Sequence, residues 1–199
     1  MMLDEFLALV ASEGEFSEER MVKVRGSALE AELTGRRAMP LLEYLAHPDL
    51  HPERRTLRWG HLLGPGADVS RISAWLEGDP RRQLPTDLLG LLGRVDGIHL
   101  WADLEEGRAY SGIAPLEEWI EAGASEWRAL CPEQHARSLV ISYHANSDEF
   151  VLLEADRSVY RLFNPENFGE LGDVVATSVP ELLDWLWARH FALDPRRPK

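Results

Sequence analysis

The sequence predicts a domain that combines helices with antiparallel strands. Three stretches carry that expectation. In residues 83–104, QLPTDLLGLLGRVDGIHLWADL, a helical apolar period passes directly into a two-residue alternation. In residues 139–163, short apolar runs are separated by turn residues, the pattern of an antiparallel meander. In residues 178–190, a polar cap precedes an amphipathic helix.

Taken in order, Met2, Phe6, Leu7 and Val10 recur at helical spacing and predict a helix over 2–12. Residues 20–25 hold a short alternation suited to an edge strand, and 27–35 suit a helix. Pro40 is expected to start a short helix with Leu41, Leu42 and Leu45 as its apolar face, limited by Pro48. Residues 47–56 are polar and proline-containing, so a loop is expected. Leu57 to Leu63 is apolar and fits strand or helix. Gly64-Pro65-Gly66 is the strongest punctuation in this half. It divides a 1–67 accessory region, packing on or beside the rest, from a main domain over 68–190 and a mobile tail over 191–199.

Asp68 caps a helix with Val69, Ile72, Trp75 and Leu76 as its apolar face, and Gly78 with Pro80 stops it. Pro85 opens the next helix, with Thr86 and Asp87 at the positive end of its dipole. Leu88, Leu91, Leu92 and Val95 form its buried face, and Asp96-Gly97 ends it, glycine supplying a left-handed cap. Ile98 to Leu104 then alternates as a strand. Glu105-Glu106-Gly107 reads as a hairpin turn, and Arg108 to Ile113 as the return strand. Pro115 is expected to begin a helix, with Leu116, Trp119 and Ile120 inward and Glu117, Glu118 and Glu121 along it. Trp127 and Leu130 extend or repeat that pattern. The meander follows: Leu139–Tyr143, Glu149–Glu154 and Ser158–Phe163, with 144–148 and 155–157 as turns. Residues 164–173 are a loop, and Val174 to Ala176 a short strand. In the last helix Ser178 and Glu181 fit a capping box, and Val179, Leu182, Leu183 and Leu186 make the buried stripe. Trp185 and Trp187 flank it.

Composition narrows the function classes. The chain has 199 residues, seven tryptophans and an apolar fraction of 45%, enough for a substantial core. No apolar run approaches the roughly 18 residues of a membrane span. Acids stand near the start, where a signal peptide has bases. A single cysteine, Cys131, allows no internal disulfide. A cytoplasmic location is expected. The net charge is −13, concentrated in residues 68–190, where twenty-two acids face ten bases and lysine is absent. Such a field repels nucleic acid and anionic membranes and attracts a basic partner. It also serves plain solubility.

Catalytic and metal chemistry find little support. His47, Asp49 and His51 lie in HPDLH, with His61 nearby, and these residue types can bind zinc. Both loop histidines precede a proline, and no H-E-x-x-H helix accompanies them. A solvated loop explains them. Cys131 and His135 have the spacing of one helical face, but Pro132 lies between them. Gly64-Pro65-Gly66 lacks a phosphate-cradle spacing. No catalytic residue, cofactor or metal is therefore expected.

The remaining candidates are surface groups. Trp101 falls on the strand face opposite Ile98, Leu100 and Leu104, available as an interface anchor or covered by the accessory region. Asp103, Glu105 and Glu106 share one hairpin, Asp148 and Glu149 another, and Glu154 and Asp156 a third. Trp101, Asp103, Glu105, Glu106, Asp148 and Glu149 are the expected partner-binding residues.

The order of these pieces resembles the SUKH superfamily, which includes Smi/Knr-type cell-wall regulators and many bacterial immunity proteins. ISAWLEGDPRRQLPTDLLGLLGRVDG looks like that family's opening helix, leucine-proline-x-aspartate step, second helix and closing glycine. YSGIAPLEEW looks like its middle segment, LVISYHANSDEFVLLEADRSVYRLF its strand block, and VATSVPELLDWLW its final segment and helix. The likeness covers about residues 68–190. Where many relatives have a glycine-rich turn, this chain has His144-Ala145-Asn146-Ser147-Asp148.

The resemblance implies an α+β domain: a twisted antiparallel sheet with helices packed on it. It implies a binding role without catalysis. Relatives encoded beside polymorphic toxins neutralise their own toxin, and many such toxins are nucleases with basic surfaces. The expected function is thus an immunity protein that occludes a cognate toxin. A regulatory scaffold of the cell-wall-regulator type is the alternative, and a metal-dependent hydrolase a more distant one.

Overall fold

A computed structural model of the chain describes residues 1–13, 37–43, 57–79, 82–103, 111–125, 128–143, 150–154, 158–164 and 171–192. It has an α+β architecture of antiparallel sheet and a few helices. One four-stranded sheet has the order β1 (Arg37–Glu43), β2 (Leu57–Leu63), β3 (Ile98–Asp103), β4 (Ser111–Ile113). A five-stranded sheet has the order β5 (Ile120–Glu121), β6 (Leu139–Tyr143), β7 (Phe150–Glu154), β8 (Val159–Phe163), β9 (Leu171–Ala176). Every pairing is antiparallel between sequence neighbours. The helices are α1 (Leu3–Glu13), α2 (Val69–Glu77), α3 (Thr86–Leu92) and α4 (Val179–Ala192).

One continuous segment joins the two sheets. Ile113 of β4 pairs with Ile98, and the next amide, Ala114 N–H, donates to the Ile141 carbonyl of β6 at 2.8 Å. Ile120 and Glu121 then pair with Val140 and Leu139, and Ala122 N–H reaches Ser138 O at 2.8 Å. The chain thus leaves one sheet and enters the other across Pro115–Trp119. This corner corrects the helix expected from Pro115. Only a single 3₁₀ turn forms, Leu116–Glu118, and Ile120 is exposed on β5. Trp119 is buried and extended, its indole N–H donating back to Ala114 O at 2.7 Å. With the following amides taken by β6 carbonyls, the corner gains more from the neighbouring strand than from helical bonds. Glu117, Glu118 and Glu121 therefore share no helix. Leu130 lies in another short 3₁₀ turn and is exposed; Trp127 lies outside the described residues.

The core sits between the sheets and the helices. Leu88, Leu91 and Leu92 of α3, with Val95, pack with Ile98 and Leu100 of β3. Val179, Leu182, Leu183 and Leu186 of α4 and Phe6 and Val10 of α1 join the same cluster. So do Leu139, Ile141, Val151, Leu153 and Tyr160 from the second sheet. Each fully buried aliphatic side chain of this kind contributes roughly 1.5–3 kcal/mol. Every residue of β7 is buried, because a second cluster of Ala122, Val140, Phe150, Leu152 and Phe163 covers its other face.

The described strands of the N-terminal half enter the same construction. Leu57–Leu63 is a strand, pairing with β3 through Leu62–His99 and Leu63–Ile98. The expected helix at Pro40 is instead β1. As the outermost strand of its sheet, β1 tolerates a residue without an N–H, and its register slips between Pro40 and Leu42. Expectations for 20–35 and 44–56 lie outside the described residues. Gly64-Pro65-Gly66 does more than punctuate. Gly64 N–H donates to Gly97 O at 2.8 Å, Pro65 O accepts Asp96 N–H at 3.3 Å, and Ala67 N–H donates to Leu92 O at 2.8 Å. This strap lies backbone to backbone on the α3–β3 turn.

α3 ends at Leu92 with Gly93 as its cap, while Gly97, at φ +98°, turns the chain into β3. Val69 is 81% exposed, so α2 turns only Ile72 and Trp75 toward the core. In the α4 cap, Ser178 Oγ accepts the Glu181 amide at 3.4 Å as expected. Glu181, however, reaches to the Thr177 amide at 2.7 Å and the Thr177 hydroxyl at 2.8 Å, one residue earlier than a capping box requires. Those two bonds hold its carboxyl below the usual range.

Candidate interaction surface and its charge clasps

Of the expected partner-binding residues, Trp101 and Asp103 lie among the described ones. Both lie on β3, with Asp103 opposite Trp59 of β2. Glu105 and Glu106, in the β3–β4 connection, lie outside the described residues, as do Asp148 and Glu149 in the β6–β7 connection. On β3 itself, His99 is buried together with Ile98 and Leu100, so both strand faces are covered at that point.

The described charges form clasps between distant elements. Asp96 is buried; its Oδ1 accepts the Leu116 amide at 2.8 Å, and its Oδ2 lies 2.7 Å from Arg71 Nη2. Arg71 also pairs with Glu117. Burial raises the Asp96 carboxyl above the ordinary 3.8, against the lowering effect of the Leu116 bond and Arg71. Arg137 Nη2 lies 3.1 Å from Glu121 and 3.3 Å from Asp79. Arg161 Nε is 2.9 Å from the buried Glu154, with His135 Nδ1 3.6 Å from the same oxygen. Arg94 pairs with Asp4 of α1 at 2.6 Å. Arg82 lies 4.2 Å over Trp75, and Arg189 5.3 Å over Trp185. Six arginines of the acidic 68–190 region are thus engaged by the chain's own acids or aromatic rings.

Glu154, expected at a surface turn, is instead buried in β7. Asp87 gains a role that local reading missed. Its Oδ1 accepts the Leu88 amide at 2.9 Å, as a dipole argument suggests. Its Oδ2 accepts the Val179 amide at 2.7 Å, so one carboxylate serves the starts of both α3 and α4. The same carboxylate adds to burial in pushing the Tyr160 phenol up.

For nucleophilic chemistry, Cys131 Sγ–H donates to Pro132 O at 3.6 Å, and burial raises the thiol above its ordinary value. Burial thus disfavours the thiolate that a nucleophile needs. HPDLH lies outside the described residues, and His61 is buried on β2. Among the described residues no three His, Cys, Asp or Glu side chains gather as a metal site. No helix among them is long and apolar enough to cross a membrane. Comparison with protein-family models, curated proteins and solved structures finds no match to the chain.

Proposed function

We propose that this chain is a cytoplasmic immunity protein of SUKH-like architecture, which binds a cognate toxin domain with a basic surface and neutralises it by occlusion. A nuclease is the toxin class that best fits, because it holds nucleic acid on cationic side chains. The observation that carries the reading is the placement of charge. Residues 68–190 hold twenty-two acids, ten bases and no lysine, and six of those bases are engaged within the fold. The resemblance of ordered segments over 68–190 supports the same reading, and an α+β domain accords with it.

Mechanistically, negative potential speeds encounter, and aromatic anchors slow release. Trp101, Asp103, Glu105, Glu106, Asp148 and Glu149 are the proposed contact residues, on β3 and in the β3–β4 and β6–β7 connections. No bond-making step belongs to the inhibitor. Stopped-flow mixing of the purified chain with the toxin domain encoded beside it tests this directly. The association rate is expected to fall on the order of tenfold as salt rises from low to several-fold physiological strength. A salt-independent rate, or no complex at low salt, overturns the electrostatic reading.

A further inference from the structure

We infer that α2 is a hinged cover over the corner between the two sheets, held shut by ion pairs at its two ends and able to open while the rest stays folded. None of its nine residues is buried. Ile72 and Trp75 are only partly covered. By contrast, α4 buries Val179, Leu182, Leu183 and Leu186. What holds α2 is charged and peripheral. In its first turn, Arg71 reaches Asp96 at 2.7 Å and pairs with Glu117 on the corner's 3₁₀ turn. Just past its last turn, Asp79 meets Arg137 at 3.3 Å, and Arg137 is tied to Glu121 of β5. Between these clasps, Trp75 stands edge to face on Trp119 at 6.1 Å and 87°.

The magnitudes favour local opening. Ion pairs with an exposed partner and a single edge-to-face aromatic contact hold an element weakly. The buried aliphatic side chains of α4 hold it far more strongly. α2 therefore lies at the low end of local stability and α4 near the global value. The N-terminal flank of α2 suits a hinge, anchored by the backbone-bonded strap at 64–67. At the other end Arg82 adds a further charged hold, its Nη1 donating to Trp75 O at 2.7 Å with the guanidinium 4.2 Å over the Trp75 ring. Opening uncovers the Trp119 ring, now 3% exposed, beside the Asp96 and Glu117 carboxylates.

Native-state hydrogen exchange on the intact chain tests this. Amides of 72–78 are expected to exchange at least about tenfold faster than those of 182–189, with little urea dependence. Raising NaCl to about 1 M, where the Debye length is about 3 Å, is expected to speed 72–78 several-fold further and leave 182–189 unchanged. Arg71→Gln is expected to reproduce the salt effect at low ionic strength. Should that variant lose α4 protection as well, the salt series on the unmodified chain decides. Exchange of 72–78 only together with α4 overturns the inference. So does fast exchange that ignores both salt and Arg71→Gln, because the ion pairs then hold nothing shut.

Discussion

Gly64→Ala is expected to destabilise the fold by about 3 kcal/mol or more, a fall in Tm of roughly 6–12 °C for a chain of this size. A Cβ at Gly64 would stand 1.8 Å from the Asp96 carbonyl oxygen and 2.8 Å from its carbon. Both are backbone atoms, so no side-chain rotation relieves the overlap. The strap would have to lift, breaking the Gly64–Gly97, Asp96–Pro65 and Ala67–Leu92 bonds that seat it on the α3–β3 turn. The control is Gly90→Ala. Gly90 is an exposed residue of α3, and a Cβ there meets nothing within 4 Å. Helix propensity then dominates, and the variant is expected to gain up to about 1 kcal/mol. Thermal melts of the two variants check the pair. A Gly64→Ala protein as stable as the parent would mean that the strap is a loose linker.

Asp96→Ala is expected to cost about 2 kcal/mol, since it strands the buried Leu116 amide without its acceptor and removes one clasp from Arg71. The loss stays below that of a broken buried ion pair, because Arg71 is 41% exposed and keeps Glu117. Asp96→Asn retains an acceptor for Leu116 and is expected to cost less than about 1 kcal/mol at neutral pH. The pH dependence separates the two variants further. Burial raises the folded-state Asp96 carboxyl above 3.8, so the folded protein holds that proton more tightly than the unfolded chain. Its contribution is fully present below the ordinary value and is lost as pH rises through the folded one. Asn carries no such titration, so the stability of Asp96→Asn relative to the parent should improve as pH climbs through that window. Urea melts across the acid range measure this, and a gap moving the opposite way would contradict the buried placement of Asp96.

Where local periodicity and core burial coincide, the sequence was legible. The α3 face, β3, the strands β6 to β8 and the α4 stripe form where their apolar spacing places them. Segments governed by a neighbour were not. β1 contains a proline that suggests a helix start, yet its conformation comes from pairing with β2 at the sheet's outer edge. At the corner, Leu116 and Trp119 have helical spacing, but the carbonyls of β6 claim the backbone that a helix would need. The clasps were invisible for a related reason. Arg71 and Glu117 are separated by 46 residues, Arg137 and Asp79 by 58, and Asp87 and Val179 by 92, and no local pattern marks such pairs. For the interaction surface, overall charge was readable at once. The placement of its acids was less so: Glu154 sits in a turn-flanked strand end like any solvated acid, and only packing shows it buried.

The central claim is neutralisation by binding, and killing in living cells tests it most directly. A toxin domain encoded beside this chain, the proposed target, would be expressed in a sensitive host with and without the chain, and survivors counted. Full rescue by the parent, weakened by charge-reversing Asp103, Glu105 and Glu106 together and by the same change at Asp148 and Glu149, is the predicted result. Killing undiminished by a well-folded, abundant parent chain would contradict the account.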